Sequence, residues 1–149
     1  MTSVATFAAV FAALYVAHSV GDHWVQTHGQ ACGKGAPTVA GRLACLRHVC
    51  TLTLTKALAV GGLILVTGLN VHPLALLLGL LVDAASHYWA DRRTTLARLA
   101  DLLGKRGFYQ MGAPRPGTTD TPHLGTGAYA LDQSWHHLWL FIAALIIAT

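Results

Sequence analysis

LVDAASHYWADRR, residues 81–93, is the stretch on which the fold turns. It closes an apolar run that begins at Pro73, yet it sets Asp83, His87 and Asp91 four residues apart. Side chains at i and i+4 lie on one face of an α-helix, one turn apart, so the three ionisable groups form a single stripe on an otherwise greasy helix. A polar stripe inside a segment long enough to cross ~30 Å of hydrocarbon points to a membrane helix whose stripe faces protein rather than lipid.

The composition agrees. Of 149 residues, 54% are hydrophobic and 11% are charged, whereas a soluble domain carries about a quarter charged residues. Apolar runs of spanning length occur at 3–22, 44–69, 72–91 and 128–148, the second and third joined by a tight reversal at GLNVHP. The expected architecture is therefore all-α: an integral membrane four-helix antiparallel bundle, residues 1–149 forming one transmembrane domain. Residues 92–127 form the long third loop. Within it, TTLARLADLLGK places Leu96, Leu99, Ala100 and Leu103 on one stripe, which suits an interfacial amphipathic helix or an ordinary connecting helix packed on the bundle. The following RGFYQMGAPRPGTTDTPHLGTGAY is rich in Gly, Pro and Thr and reads as an irregular loop, either a lid or disordered chain.

Ten Lys and Arg outweigh six acidic residues, all aspartate. Lys34, Arg42 and Arg47 surround the first loop; Arg92, Arg93, Arg98, Lys105, Arg106 and Arg115 fill the third. Such clustering follows membrane topology and excludes the aromatic-interleaved basic stripe of a nucleic-acid binder. The positive-inside rule puts loops 1 and 3 in the cytoplasm and both termini outside. MTSVATFAAV has no Lys or Arg ahead of its apolar run, so no cleaved signal peptide is expected. Cys32, Cys45 and Cys50 are expected to be reduced thiols; Cys45 and Cys50 flank His48 but lack CxxC spacing, so packing is their default role. Trp24, Tyr88, Trp89 and Trp135 gather at the same level, as an interfacial aromatic belt does.

Four of the six aspartates have a histidine four residues away: Asp22 with His18, Asp83 and Asp91 with His87, and Asp132 with His136. Chance placement gives about 0.7 such cases. His18 and Asp22 end the first span, His48 opens the second, His87 and Asp91 end the third, and Asp132 and His136 open the fourth. An antiparallel bundle brings all seven to one level, with too little basic charge nearby to neutralise them. Imidazoles mixed with carboxylates suit a divalent cation of intermediate softness, zinc first, with manganese, iron or nickel as alternatives, as one or two ions. A structural polar network and an ion or proton path are the competing readings. Lys56 and Asp83 lie deeper and are expected to form a buried ion pair supporting the site. Gln26, Gln133 and His137 are further candidates to orient a ligand or water.

The blocks AHSVGDHWVQT, LRHVC, SHYWADRR and LDQSWHH resemble the small bacterial and phage membrane proteins of domain-of-unknown-function family 3307. The family pattern falls on His18, Asp22 and Gln26, on His48, on His87 and Asp91, and on Asp132, Gln133 and His136. The resemblance covers nearly the whole chain except the third loop and implies a bacterial or phage-encoded protein of the inner membrane. A more distant likeness to inner-membrane proteins labelled metal-dependent hydrolases implies hydrolysis. Together these readings give the expectation of a membrane-embedded metal-dependent hydrolase acting on a lipid or membrane-proximal ester or amide. Its partners would be the bilayer, a lipid substrate and further copies of the chain. The alternatives are a small metal-ion or proton transporter or channel subunit, and a non-catalytic membrane protein stapled by a structural metal.

Overall fold

The computed structural model describes residues 4–114, 117 and 125–149. Among these there are helices and no strands: α1 (Val4–Val20), prolonged by one π-helical turn (Gly21–Val25), α2 (His28–Gly33), α3 (Val39–Thr67), α4 (Pro73–Asp91), α5 (Thr94–Leu102), α6 (Arg106–Tyr109) and α7 (Gly127–Ile147). Their ends follow local chemistry. The Thr38 side chain accepts the Gly41 N–H at the start of α3, and Gly68 ends that helix at φ 67°, where a Cβ is unfavourable. Pro73 sits in the first turn of α4, where its missing N–H costs nothing, and Thr126 caps α7 through the Tyr129 N–H.

The sequence expectation needs three adjustments. Helix α3 begins at Val39 rather than residue 44, and the first loop contains α2, whose start carries a Thr27–Gln30 capping box. The stretch expected to be irregular contains α6; Arg115, Pro116 and residues 118–124 of the proposed lid lie outside the described residues. On α5, Leu96 and Ala100 are buried as the stripe predicts, but Leu103 is exposed.

Three segments, Val4–Val25, Val39–Thr67 and Pro73–Asp91, are long and apolar enough to cross a membrane. Helix α7 has comparable length, but Asp132, Gln133, His136 and His137 lower the hydropathy of its first half. The outward faces are apolar too, with Leu58 68% and Leu65 86% exposed, a surface suited to lipid rather than water. Helix α1 packs on α3 and α7, and α4 packs on α3 and α7. The C-terminal ends of α1 and α4 meet the N-terminal parts of α3 and α7 around the polar residues described below, so the four helices alternate in direction. Their other ends enclose a dry core of Val10, Leu14, Val60, Leu80, Leu140 and Ile147, completed by Ala143 and Ala144. Between helices in lipid there is little hydrophobic drive, so close van der Waals packing of small residues carries the association. Gly79 is the contact point: a Cβ there would stand 2.9 Å from the Ala143 carbonyl oxygen and 2.5 Å from Ile147 Cγ1.

A candidate metal centre

Helical periodicity brings the polar stripes together at one end. His18, His48, His87, Asp91 and His136 are all at most 1% exposed, and the Asp22 side chain is 9% exposed. Asp22 lies on the π-helical turn, where the Gln26 N–H reaches back five residues to the Gly21 carbonyl. Such one-turn π segments recur at functional sites. Gly21 is buried, and any Cβ there would collide with Leu52 of α3, so glycine lets the end of α1 approach α3 closely.

Four atoms from three helical segments converge: Asp22 Oδ1, His48 Nε2, His87 Nε2 and Asp91 Oδ2. His48 Nε2 lies 3.1 Å from Asp22 Oδ1, 3.1 Å from His87 Nε2 and 3.3 Å from Asp91 Oδ2. His87 Nε2 lies 3.7 Å from Asp22 Oδ1 and 3.3 Å from Asp91 Oδ2. A tetrahedral ion with bonds of about 2.0–2.1 Å separates its ligands by about 3.3–3.4 Å. Five of the separations among the four atoms lie at 3.1–3.7 Å, and the sets whose ligand atoms all lie within 4.8 Å of one another are His48 with His87 and Asp91, Asp22 with His87 and His136, and Asp91 with Asp132 and His136. Asp22 Oδ1 and Asp91 Oδ2 are buried and accept no hydrogen bond, a costly state for carboxylate oxygens unless a cation satisfies them. These buried His and Asp groups can hold a metal ion.

The remaining expected residues divide. His136 stacks on His87 with ring centroids 3.9 Å apart, and its Nε2 lies 3.4 Å from Asp132 Oδ2 and 3.9 Å from Asp91 Oδ1. His18 Nε2 approaches Asp22 Oδ2 at 3.6 Å. Both histidines line the cluster one step out from the four converging atoms. Asp132 sits at its mouth, its side chain 26% exposed, with Gln133 Nε2 3.4 Å from its Oδ2. His137 lies outside the converging atoms, its ring 4.8 Å from that of Tyr15 and edge-on to His18 at 6.1 Å. Lys56 Nζ donates to Asp83 Oδ2 at 2.6 Å, both residues buried, which is the pairing that their depth predicts. Neither flanking thiol joins the cluster: Cys45 Sγ turns to the Tyr88 carbonyl at 3.7 Å, and Cys50 is exposed. In the aromatic level, Trp89 and Trp135 stack at 4.7 Å while Trp24 stands 85% exposed.

One basic residue reaches the cluster, without neutralising its carboxylates. Lys34, at the end of α2, places Nζ 2.8 Å from Asp91 Oδ1. It is held there from the α4 side: Arg92 donates to the Lys34 and Ala36 carbonyls, and Arg93 Nη2 donates to the Ala31 carbonyl at 2.9 Å. These guanidinium groups satisfy carbonyls that the end of a helix leaves open. Arg93 adopts φ 57°, the one non-glycine residue with positive φ among those described, a strain of order 1–3 kcal/mol. Loops 1 and 3 therefore meet at the polar end. The sequence carried a signal for α2 in the T-x-x-Q of Thr27–Gln30, but none for which carboxylate Lys34 would reach.

From this end a cavity of about 540 Å³ opens beside the cluster. Asp22, Asp91 and Asp132 line it together with Gln26, Lys34, Arg93, Tyr109, Tyr129 and Gln133. Burial, and after it the neighbouring Asp132 carboxylate, push the Tyr109 phenol above its ordinary pKa, so it remains a proton donor at neutral pH.

No curated protein and no solved structure matches the chain. Residues 10–149 match the family described as "Protein of unknown function (DUF3307)", and the chain belongs to that family.

Proposed function

We propose that this protein is a membrane-embedded metal-dependent hydrolase of bacterial or phage origin. In this reading α1, α3, α4 and α7 are the four spans of an antiparallel membrane bundle, with the polar end cytoplasmic and both termini outside. The observation that carries the metal is the convergence of His48, His87 and Asp91, each with a ligand atom within 4.8 Å of the other two, beside the buried, unpaired Oδ1 of Asp22, which leaves a fourth position for water. Two imidazoles and two carboxylates favour zinc, with manganese, iron and nickel compatible. The second set, Asp91 Oδ1, Asp132 and His136, already faces the Lys34 ammonium, which favours one ion over two.

A divalent ion held by His48, His87 and Asp91, with Asp22 beside them, would supply Lewis acidity and lower the pKa of a water. The chain's own residues do the rest. The cavity admits a substrate head from the membrane surface to the cluster. Asp132, the carboxylate at its mouth, is placed to take the proton of the attacking water. Tyr109 can donate to an oxygen of the scissile group. The substrate class is an ester or amide carried by a lipid or held close to the bilayer. A transporter needs a polar route through the molecule, whereas the described core cluster of Leu14, Val60, Leu80, Leu140 and Ile147 is apolar, with the Lys56–Asp83 pair and Trp139 Nε1 at its border.

The test is elemental analysis of the detergent-purified chain beside a His48→Ala/Asp91→Asn variant, followed by hydrolysis of nitrophenyl ester and phosphate probes. We expect one equivalent of metal, lost in the variant, and turnover that chelation abolishes and added metal restores. Failure to take up zinc or manganese on reconstitution sinks the reading. Stoichiometric metal without turnover converts the protein into one with a structural ion.

A further inference from the structure

The cavity beside the cluster is lined by carboxylates and by hydrogen-bond donors, and the donors have no part in holding an ion. Asp22, Asp91 and Asp132 share its lining with the donors of Lys34, Arg93, Gln26 and Tyr109. Gln26 Nε2 is buried and donates to nothing in the protein. Lys34 uses one of its three N–H bonds on Asp91 and its side chain is only 12% exposed, so the others lie at a nearly dry wall. Arg93 spends one donor on the Ala31 carbonyl and keeps further N–H groups, held in place by a backbone that only a fixed surrounding can keep at φ 57°.

Resting on the metal-centre reading, we propose that this cavity binds a phosphate group, with Lys34 as its principal protein contact and Gln26, Arg93 and Tyr109 as further donors. Charge and geometry argue for it together. Three carboxylates against Lys34 and Arg93 leave the wall lining at one negative charge, and a divalent ion turns that into one positive charge. The loaded site therefore attracts an anion that the empty one repels. Donors arriving from α2, from the α4–α5 junction, from α6 and from the π-helical end of α1 suit a tetrahedral oxyanion better than a planar carboxylate, which offers two oxygens. The same chemistry serves a free phosphate and the phosphate of a lipid headgroup.

The full chain in maltoside micelles, which contain no phosphorus, can be loaded with manganese and examined by phosphorus NMR. One arm adds inorganic phosphate, the other micelles doped with phosphatidate, and manganese uptake is read separately by electron paramagnetic resonance. We expect metal-dependent broadening of at least one phosphorus signal, absent without manganese; the arm that broadens identifies the source. Lys34→Gln should weaken that binding at least tenfold while taking up at least as much manganese as the parent, because it removes a cation beside Asp91. Lys34→Arg should recover part of it. Manganese bound with neither signal broadened overturns the phosphate site and leaves the metal centre standing, as does Lys34→Gln broadening the signal like the parent. No manganese bound overturns both.

Discussion

At one end of α1, α3, α4 and α7 lie Val10, Leu14, Val60, Leu80, Leu140 and Ile147, closed around Gly79, with Trp139 Nε1 beside Leu140 left buried and unpaired at its border. At the other end the same helices present His18, Asp22, His48, His87, Asp91 and His136, with several nitrogen and oxygen atoms buried and unpaired. Both ends use the same 3.6-residue period, and both are nearly closed to solvent. Packing quality does not separate them; what differs is whether side chains complete one another. The apolar end is finished by contact alone, whereas the polar end is arranged as though one more positive charge belonged at its centre. The Lys56–Asp83 pair lies between the two and is fully matched, so burial of charge in this molecule does not by itself leave atoms unpaired.

Variants can press on each part of that contrast. The largest effect is expected from Lys56→Met, which strands Asp83 as a lone buried charge and should cost about 3–5 kcal/mol of stability. The Lys56→Met/Asp83→Leu pair should recover most of it, measured by loss of helical circular dichroism in denaturant-titrated micelles. If both variants melt alike, the ion pair is not what holds that level together. Next comes Asp91→Asn, which removes a charge shared by His48, His87, His136 and Lys34. Zinc affinity should fall by about 100-fold, or about 2.7 kcal/mol, with helicity retained, as followed by competition with a chromophoric chelator. Gly79→Ala attacks the apolar end instead: the added methyl meets the Ala143 carbonyl, and stability should drop by about 1–3 kcal/mol with zinc affinity within about threefold of the parent. A large loss of zinc there would mean that the two ends are not independent. His137→Ala should be the quietest, within about 0.5 kcal/mol in stability and without effect on zinc binding, since its ring packs beside Tyr15 outside the cluster.

Much of this contrast was legible before any coordinates. Intervals of four fix a helical face, so His18/Asp22, His87/Asp91 and Asp132/His136 announce their own stripes, and the depth of Lys56 and Asp83 along their helices foretells their pairing. What periodicity does not encode is contact between loops. The grip of Arg92 and Arg93 on α2 runs to backbone carbonyls, which every residue possesses and no side-chain pattern marks. Lys34 thus reads in sequence as one more topogenic charge, although it touches Asp91. His137 shows the converse failure: adjacent to His136 in sequence, it lies about 100° around the helix and leaves the cluster.

The π-helical turn at Gly21–Val25 is, in register terms, a helix with one residue more than its hydrogen bonds need. Deleting a single residue from it would let the turn rewind to α geometry, and everything downstream would swing by about 100° before α2 begins. The lysine that α2 delivers to Asp91 would then face elsewhere. Spacing along the chain, as much as residue identity, is thus part of what assembles this pocket, and an insertion or deletion here should be felt more keenly than most substitutions.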